Sequence, residues 1–228
     1  MEKGCESIIR LQGAEYMTTI ILVRHGETEW NKEQVFRGRT DIKLNKNGIK
    51  QAEYIGKRLA DIKIDAIYSS PLSRAKDTAD SIAKHHKSLK TIVSKKLNDM
   101  NFGKWDGLSI KAVKANYPGL YKLWKTNPGA VKFPGGCNLK KIENNLSSLL
   151  KDTVKSHPGR TVVFVSHRVP LKVLILFSLG TGLKQFWKIR IDNASISILE
   201  YDKNAGFSLA GLNDTCHLKK IGCLKKDF

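Results

Sequence analysis

The chain has 228 residues, of which 41% are hydrophobic, so it is long enough to bury the core of one domain. No stretch approaches the roughly 18 apolar residues that a membrane-spanning helix needs. The most apolar run, residues 169–179, is short and contains Lys172. Residues 1–16 lack the apolar core of a secretory signal. A membrane span is therefore not expected, and a cytoplasmic location is predicted.

The net charge is +19, with 40 Lys and Arg residues against 21 Asp and Glu residues. A charge of this size raises nucleic acid as one class of partner. The lysines are scattered, however, and no arginine-rich block or helix-turn-helix pattern accompanies them. Cationic surfaces without base-reading motifs bind nucleic acid mostly non-specifically. We therefore interpret the charge as a solvated surface, which also suits an anionic small substrate, and we expect no nucleic-acid partner.

The four cysteines, at positions 5, 137, 216 and 223, form no Cys-x-x-Cys pair. None has a histidine at the spacing of a zinc site, apart from His217 directly beside Cys216. We interpret the cysteines as buried or free thiols, and no metal site is predicted.

Short runs rich in β-branched residues alternate along the chain with amphipathic helical patterns. The predicted buried strands are residues 19–23, 66–68 and 161–165. One helix is predicted to begin near Asn45 and a second near Ser73, while a third ends at residues 156–159, where Pro and Gly stop it. This alternation predicts a three-layer α/β/α fold with a mostly parallel central sheet.

The apolar residues of each predicted helix fall on one helical face. The predicted inward residues are Ile49, Ala52, Ile55 and Leu59 in the first helix, Ala75, Ala79, Ile82 and Ala83 in the second, and Ile142, Leu146, Leu149, Leu150 and Val154 in the third. The three helices are therefore expected to cover the sheet.

Two segments depart from this alternation. Residues 95–136 carry many Gly and Pro residues and a weak apolar pattern, which indicates a small inserted helical cap or lid. Residues 194–201 and 207–212 are predicted to form a hairpin at the edge of the sheet. Residues 1–17 are interpreted as an extension, either disordered or produced by a start at Met1 instead of Met17, and residues 18–228 as one domain.

Polar residues follow each of the three predicted strands. Arg24 and His25 follow the first strand, a Ser-Ser-Pro-Leu-Ser segment and Arg74 follow the second, and His167 follows the third. Because ligands bind at the carboxyl edge of open α/β sheets, these side chains should meet in one crevice. The planar guanidinium group of arginine matches phosphate and keeps its charge at every relevant pH. The sequence therefore predicts an oxyanion pocket.

Four segments, in this order, carry a resemblance to a known family. They are Leu-Val-Arg-His-Gly-Glu-Thr-Glu-Trp-Asn (residues 22–31), Tyr-Ser-Ser-Pro-Leu-Ser-Arg-Ala-Lys-Asp-Thr-Ala (68–79), Phe-Gly-Lys-Trp-Asp-Gly (102–107) and Val-Ser-His (165–167). They resemble the histidine phosphatase superfamily, in its phosphoglycerate-mutase-like branch, from about Thr18 to the tail. The resemblance implies that His25 accepts the phosphoryl group, that Arg24, Arg74 and His167 bind it, that Asn31 lies beside it, and that no metal or cofactor takes part.

The leaving oxygen of such a reaction needs a proton. The family takes it from a Glu in a Leu-x-Glu pattern, and the aligned residue here is Asp99. Asp99 is one methylene shorter, so the loop must approach more closely or a water must help; the alternative is a solvated loop carboxylate. A raised pKa would suit Asp99 to donate near neutral pH. The phosphoryl charge would be stabilised by Arg24, Arg74 and a protonated His167.

Other positions depart from the family pattern. Arg37 replaces the usual Gln at the edge of the phosphate site, which indicates either a second anionic group on the substrate or only a surface residue, as for Arg39. Arg168 replaces the usual Gly after the second histidine. Residues 192–195 and 213–218 resemble metal-independent phosphoserine phosphatases and α-ribazole-phosphatase-like members more weakly. His217 either reaches the pocket or ends the last strand.

These features together predict a metal-independent phosphomonoesterase that hydrolyses a small phosphorylated metabolite through a phosphohistidine. One alternative is a cofactor-dependent phosphoglycerate mutase, for which the cap is short. The other is a degenerate, non-catalytic member that binds phosphorylated ligands. The expected partners are the substrate and a second copy of the chain in a homodimer, with no membrane.

Overall fold

The computed structural model describes residues 17–221, which include Met17 of the predicted extension; residues 1–16 lie outside the described residues. The strands are β1 (Thr18–Arg24), β2 (Ala66–Ser69), β3 (Thr91–Val93), β4 (Thr161–Ser166), β5 (Ile196–Asp202) and β6 (Gly206–Asp214). The α-helices are α1 (Glu29–Lys32), α2 (Lys46–Leu59), α3 (Ser73–Ala83), α4 (Ile110–Asn116), α5 (Pro118–Thr126), α6 (Leu139–Ser156) and α7 (Arg168–Ser178). No helix within residues 17–221 is long and apolar enough to cross a membrane.

The strands form one sheet in the order β3-β2-β4-β1-β5-β6. The first four strands of this order are parallel, and β5 and β6 add an antiparallel hairpin at the edge of β1. The predicted parallel sheet and terminal hairpin are confirmed. The sequence prediction missed β3, because this three-residue edge strand leaves Ile92 and Val93 about half exposed and shows no buried apolar run.

Two helical layers cover the sheet. Ile21 and Val23 pack in one core cluster with residues of α2 and α3, whereas Leu22 packs on the other side with residues of α6 and α7. This alternation follows from the two-residue period of a strand. The prediction was wrong for Ile49, which is 51% exposed, because the buried face of α2 includes Gly48 and so turns Ile49 towards solvent.

The predicted cap contains α4, α5 and short 3-10 turns. Its aromatic side chains belong to the same core cluster as α6 and α7. The Phe133 ring lies 4.9 Å from the ring of Trp105 and 5.4 Å from the ring of Trp124, centroid to centroid, in edge-to-face contacts. The aromatic side chains of this segment therefore pack into the core on the side of the sheet that α6 and α7 cover.

The cysteine expectation was only partly right. Cys137 is a free thiol, but Cys216 is disulfide-bonded. Cys5 and Cys223 lie outside the described residues.

The start of α2 fixes the loop that follows β1. Asn45 caps the helix, since its side-chain oxygen accepts a hydrogen bond from the Gly48 N–H at 2.8 Å. The Glu27 N–H donates to the side chain of Gln51 in α2 at 2.8 Å. A Cβ atom at Gly26 would lie 2.4 Å from the Gly48 carbonyl oxygen, and one at Gly48 would lie 2.1 Å from the Glu27 carbonyl oxygen. Only glycine permits this approach.

Gly48→Ala is expected to lower the free energy of unfolding by about 1–3 kcal/mol, because the added methyl group overlaps the Glu27 backbone. Gly119→Ala in α5 is the control, since a Cβ atom there meets nothing within 4 Å. It should leave stability unchanged or raise it by up to about 1 kcal/mol through helix propensity. Denaturant unfolding of both variants measures the difference, and equal stabilities would contradict this packing.

Candidate active site

The polar residues that follow β1, β2 and β4 share one crevice. β4 lies between the other two strands, and all three are parallel. The His25 N–H donates to the Ser166 carbonyl at 3.1 Å, and the Ser70 N–H donates to the Val165 carbonyl at 3.0 Å. These contacts continue the sheet ladder beyond the strand ends. Residues that are distant in the sequence are thus brought together at the carboxyl edge of the sheet.

The His25 ring is held in one tautomer. Its Nδ1 atom lies 2.6 Å from the carbonyl oxygen of Gly26. A carbonyl oxygen only accepts hydrogen bonds, so Nδ1 carries the proton and Nε2 keeps its lone pair. Burial, followed by the charge of Arg74, holds the pKa of His25 well below its ordinary value of 6.5. The ring is therefore neutral, with Nε2 able to attack phosphorus.

Two guanidinium groups, both fully buried, lie in this crevice. Arg24 donates from Nη1 to the Ile191 carbonyl at 2.8 Å. Arg74 donates from Nη1 to the Thr40 carbonyl at 2.9 Å and from Nη2 to the Gly38 carbonyl at 3.1 Å. These contacts are to neutral carbonyls, and Arg74 Nη2 also donates to the Asp99 carboxylate at 3.2 Å. Two guanidinium groups beside one carboxylate favour a further anion in the crevice.

His167 lies beside His25, with the two ring centroids 5.1 Å apart. Its Nε2 atom is 2.8 Å from the Ser70 hydroxyl oxygen. Burial, followed by the charges of Arg74 and Arg37, lowers the pKa of His167 well below 6.5. Without a bound anion the His167 ring is therefore neutral, and the protonated ring expected beside a phosphoryl group stays a prediction. A phosphoryl dianion in the crevice would favour the protonated ring.

Asp99 reaches the same crevice. It is only 7% exposed, so the alternative of a solvated loop carboxylate is wrong. Its Oδ2 atom accepts from Arg74 Nη2 at 3.2 Å and lies 3.7 Å from His167 Nδ1. Its Oδ1 atom accepts from the Met100 N–H at 2.8 Å. The shorter side chain is brought in by its loop, and Asp99 lines the same cavity as His25.

Asn193 is a residue of the site that sequence reasoning missed. Its side-chain NH₂ group donates to the carbonyls of His25 (3.2 Å) and Gly26 (3.3 Å) and lies 3.4 Å from the side-chain oxygen of Asn31. Asn31 itself accepts from the backbone N–H of Thr28 at 2.9 Å. Asn193 thus ties the His25 loop to Asn31. The available signal is the polar Asp-Asn-Ala-Ser segment directly before β5, whose pattern by itself indicates only a resemblance to a subgroup.

A cavity opens beside these groups. It is lined by His25, Trp30, Asn31, Gln34, Val35, Phe36, Arg37, Gly38, Asp99, Phe102, Ile110, Arg168 and Val169. Arg37 therefore belongs to the cavity wall, and its charge lowers the pKa of both His25 and His167. Arg168 is a second cavity residue that the site prediction omitted. The signal for it was the departure from the family glycine.

Arg39 and His217, for which the sequence leaves two interpretations each, both make contacts near the site. Arg39 donates from Nε to the Asp99 backbone carbonyl at 3.2 Å. Nε2 of His217 lies 2.9 Å from the Ala194 carbonyl oxygen, behind the Asn193 segment, so His217 supports the site from outside.

Among residues 17–221, no group of three or more His, Cys, Asp or Glu side chains could hold a metal ion.

A three-layer α/β/α fold with two neutral histidines and two buried guanidinium groups at the carboxyl edge of its sheet defines a phosphoryl-transfer protein. The chain belongs to the histidine phosphatase superfamily (branch 1), which residues 20–215 match. The predicted family and enzyme class are confirmed.

Several relatives are phosphoserine phosphatases. Phosphoserine phosphatase 1 of Hydrogenobacter thermophilus is 37% identical over 202 residues, which cover 89% of this chain and 95% of that protein. The metal-independent phosphoserine phosphatase of Arabidopsis thaliana is 31% identical, over 93% of this chain and 88% of that protein. Phosphoserine phosphatase from Entamoeba histolytica, solved as a mutant with phosphoserine and also with 3-phosphoglyceric acid, superposes with a TM-score of 0.79 at 31% identity, over 88% of this chain and 99% of that chain.

The imidazole of His25 is expected to stay neutral at pH 6 and to titrate only in more acidic solution, because burial and Arg74 lower its pKa. ¹H–¹³C NMR spectra of the histidine rings, assigned with His25→Gln, measure the titration. Since an unfolded histidine titrates near 6.5, this group lowers the free energy of unfolding as the pH falls below that value. A midpoint near 6.5 for His25 in the folded protein would contradict the neutral nucleophile.

Proposed function

We propose that the chain is a metal-independent phosphomonoesterase that hydrolyses a small phosphorylated metabolite through a phosphohistidine at His25. The observation that carries the proposal is the 2.6 Å contact between His25 Nδ1 and the Gly26 carbonyl oxygen, which leaves Nε2 as a buried nucleophile. The names of the relatives support the substrate class and the independence from metal. Phosphoserine is the first candidate substrate, supported by the Entamoeba complex.

In the first step, Nε2 of His25 attacks phosphorus and the bond from phosphorus to the leaving oxygen breaks. Arg24 and Arg74 stabilise the charge on the equatorial oxygens, with Arg37 and Asn31 at the edge of the phosphoryl group. The incoming dianion raises the pKa of His167, so this ring becomes a further donor in the transition state.

Asp99 handles the proton in both steps. It donates a proton to the leaving oxygen as the phosphorus–oxygen bond breaks. In the second step its carboxylate takes a proton from water, the water oxygen attacks phosphorus, and the phosphorus–nitrogen bond breaks to release phosphate and His25. The 3.2 Å contact between Asp99 and Arg74, a proposed phosphoryl-binding residue, supports this role.

Hydrolysis of p-nitrophenyl phosphate is expected to persist in EDTA and to fall at least about 1,000-fold in His25→Ala, because this variant lacks the proposed phosphoryl acceptor. Acid-labile phosphoprotein should disappear in the same variant. His157→Ala is the matched control, since His157 follows α6 at the opposite edge of the sheet, and it should keep full activity.

A requirement for added metal would overturn the proposal. Conversion of 3-phosphoglycerate that depends on 2,3-bisphosphoglycerate, with little hydrolysis, would support the mutase instead. Tight binding of phosphorylated ligands without turnover would support the degenerate, non-catalytic member.

Asp99→Asn is expected to slow hydrolysis of phosphoserine, whose serine oxygen is a poor leaving group, about 100-fold or more. Hydrolysis of p-nitrophenyl phosphate is expected to slow less than about 10-fold. The difference arises because nitrophenolate leaves without a proton. Asp152→Asn, in an exposed ion pair with Lys96, is the control and should change neither rate. Equal losses on both substrates would remove Asp99 as the proton donor.

Three further expectations stay proposals. Residues 18–228 act as one domain with the cap at residues 95–136, and limited proteolysis tests this organisation. The protein works in the cytoplasm, which cell fractionation tests, and it forms a homodimer, which analytical ultracentrifugation tests.

A further inference from the structure

Ser70 lies against His167 in a position that the reaction described above leaves unused. The sheet register pairs Ser69 of β2 with Val165 of β4, so Ser70 and His167 leave neighbouring parallel strands at the same edge of the sheet. Both side chains are buried, at 0% and 1% exposed. The Ser70 hydroxyl oxygen lies 2.8 Å from His167 Nε2, within hydrogen-bond distance. The hydroxyl group can therefore determine which nitrogen of His167 carries the proton.

The surroundings of the Ser70 hydroxyl set the direction of this hydrogen bond. Its oxygen already accepts from the Leu72 N–H at 3.3 Å. A serine hydroxyl has one proton to donate, and Ser70 is closed to solvent. Among residues 17–221, His167 Nε2 is the one remaining partner for that proton. Because a buried hydroxyl that donates to nothing is costly, the Ser70 O–H donates to Nε2.

The other nitrogen of the His167 ring then carries the ring proton. The ring is neutral, because burial lowers its pKa, and a neutral imidazole has one donor and one acceptor. Its Nδ1 atom is buried without a hydrogen-bond partner among the described residues. It lies 3.7 Å from Asp99 Oδ2, which is too far for a hydrogen bond. The Nδ1–H is therefore an available donor beside the Asp99 carboxylate.

Arg74 presents a second donor of this kind. Its Nη2 atom donates to the same Asp99 Oδ2 atom at 3.2 Å. Within residues 17–221, the His167 ring and the Arg74 guanidinium group, which meet at Asp99, each keep one buried nitrogen, Nδ1 and Nε, without an acceptor. Buried donors without acceptors are rare in folded proteins. An anion with several oxygen atoms, such as a phosphoryl group, provides acceptors for both.

We propose that Ser70 is a positioning residue that holds the proton of His167 on Nδ1, so that the neutral ring donates to an oxygen of the phosphoryl group. His25 and His167 then share one tautomer and have opposite roles. The Gly26 carbonyl accepts from Nδ1 of His25 and leaves its Nε2 unprotonated, whereas the Ser70 hydroxyl donates to Nε2 of His167 and leaves its Nδ1–H as a donor. A second proton taken up with a phosphoryl dianion would go to Nε2, where the Ser70 oxygen accepts it. This inference rests on the proposed function.

The tautomer of His167 is the first test. It is measured by ¹H–¹⁵N correlation spectra of the protein with ¹⁵N-labelled histidine, assigned with His167→Gln. In neutral solution the wild type is expected to show a protonated Nδ1 and an unprotonated Nε2, and inorganic phosphate should shift the Nδ1 resonance because a phosphate oxygen accepts from it. A proton on Nε2 of the neutral ring would mean that His167 donates to Ser70, and it would overturn the proposal. An Nδ1 resonance that saturating phosphate leaves unchanged would also overturn it.

Ser70→Ala removes the hydroxyl group and is expected to lower kcat/KM about 10- to 100-fold, the usual effect of one hydrogen bond to a charged group. Phosphoserine and p-nitrophenyl phosphate should lose equally, because the His167 donor acts on the phosphoryl group that both share. Ser70→Thr keeps the hydroxyl and should recover most of the rate. In the Ser70→Ala spectrum the ring proton is expected to divide between the two nitrogens. An unchanged tautomer would assign its control to the Asp99 carboxylate and overturn the role of Ser70.

Ser195→Ala is the matched control. The Ser195 hydroxyl is also buried, at 1% exposed, but it has no hydrogen-bond partner in the part of the chain that the structure describes. Its removal should change neither the rates nor the His167 spectrum. Thermal unfolding of each variant confirms that it folds.

The spectra need no turnover, so they separate this inference from the proposed function. If no phosphomonoester is hydrolysed but the wild type shows the Nδ1 proton and Ser70→Ala redistributes it, the phosphatase proposal fails and the tautomer assignment stands. If hydrolysis proceeds through a phosphohistidine at equal rates in the wild type and in Ser70→Ala, the phosphatase stands and the role of Ser70 is refuted.

Discussion

The hydrogen bond between His25 Nδ1 and the Gly26 carbonyl is the interaction on which the site depends. A histidine can present either ring nitrogen, and this contact leaves Nε2 without a proton, as the proposed attack on phosphorus requires. The carbonyl is fixed because the Gly26 N–H donates to the Thr78 hydroxyl and because α2 touches the loop at Gly48. A small shift of α2 would therefore move the His25 ring. The packing of α2 against this loop thus affects both the stability of the protein and the geometry of the site.

The burial of two guanidinium groups imposes a second constraint. Charged groups are costly to bury unless they are hydrogen-bonded. Here backbone carbonyls from residues 38–40 and from Ile191 accept hydrogen bonds from the two groups, and the Asp99 carboxylate accepts one from Arg74. Other contacts hold those loops: Asp41 accepts from Ser73 at the start of α3, and the Asn213 side chain binds Asp192 next to Ile191. The donors are set before any substrate binds, which is how an oxyanion site lowers a barrier.

Sequence patterns were sufficient for the sheet, the main helices and the residues around the phosphoryl site, because strand period, helix caps and strand-end motifs are local. Properties that depend on distant contacts were not accessible. The charge of His167 depends on burial among arginines from other segments, and the role of Asn193 depends on β5 lying beside β1. The sequence shows Arg168 only as a departure from the family glycine, whereas the structure shows that Arg168 lines the cavity beside His25. The predictions for Ile49 and for β3 were wrong for a simpler reason, because the apolar side chains of Ile49, Ile92 and Val93 are about half exposed to solvent.

The central claim is that the Gly26 carbonyl selects the nitrogen of His25 that reacts. Its most direct test is the position of the phosphoryl group on the His25 ring, determined on the intermediate trapped during turnover by ³¹P and ¹⁵N NMR with labelled histidine. The account predicts that phosphate is attached only to Nε2, with the proton retained on Nδ1. Phosphate attached to Nδ1, or on another residue, would contradict it.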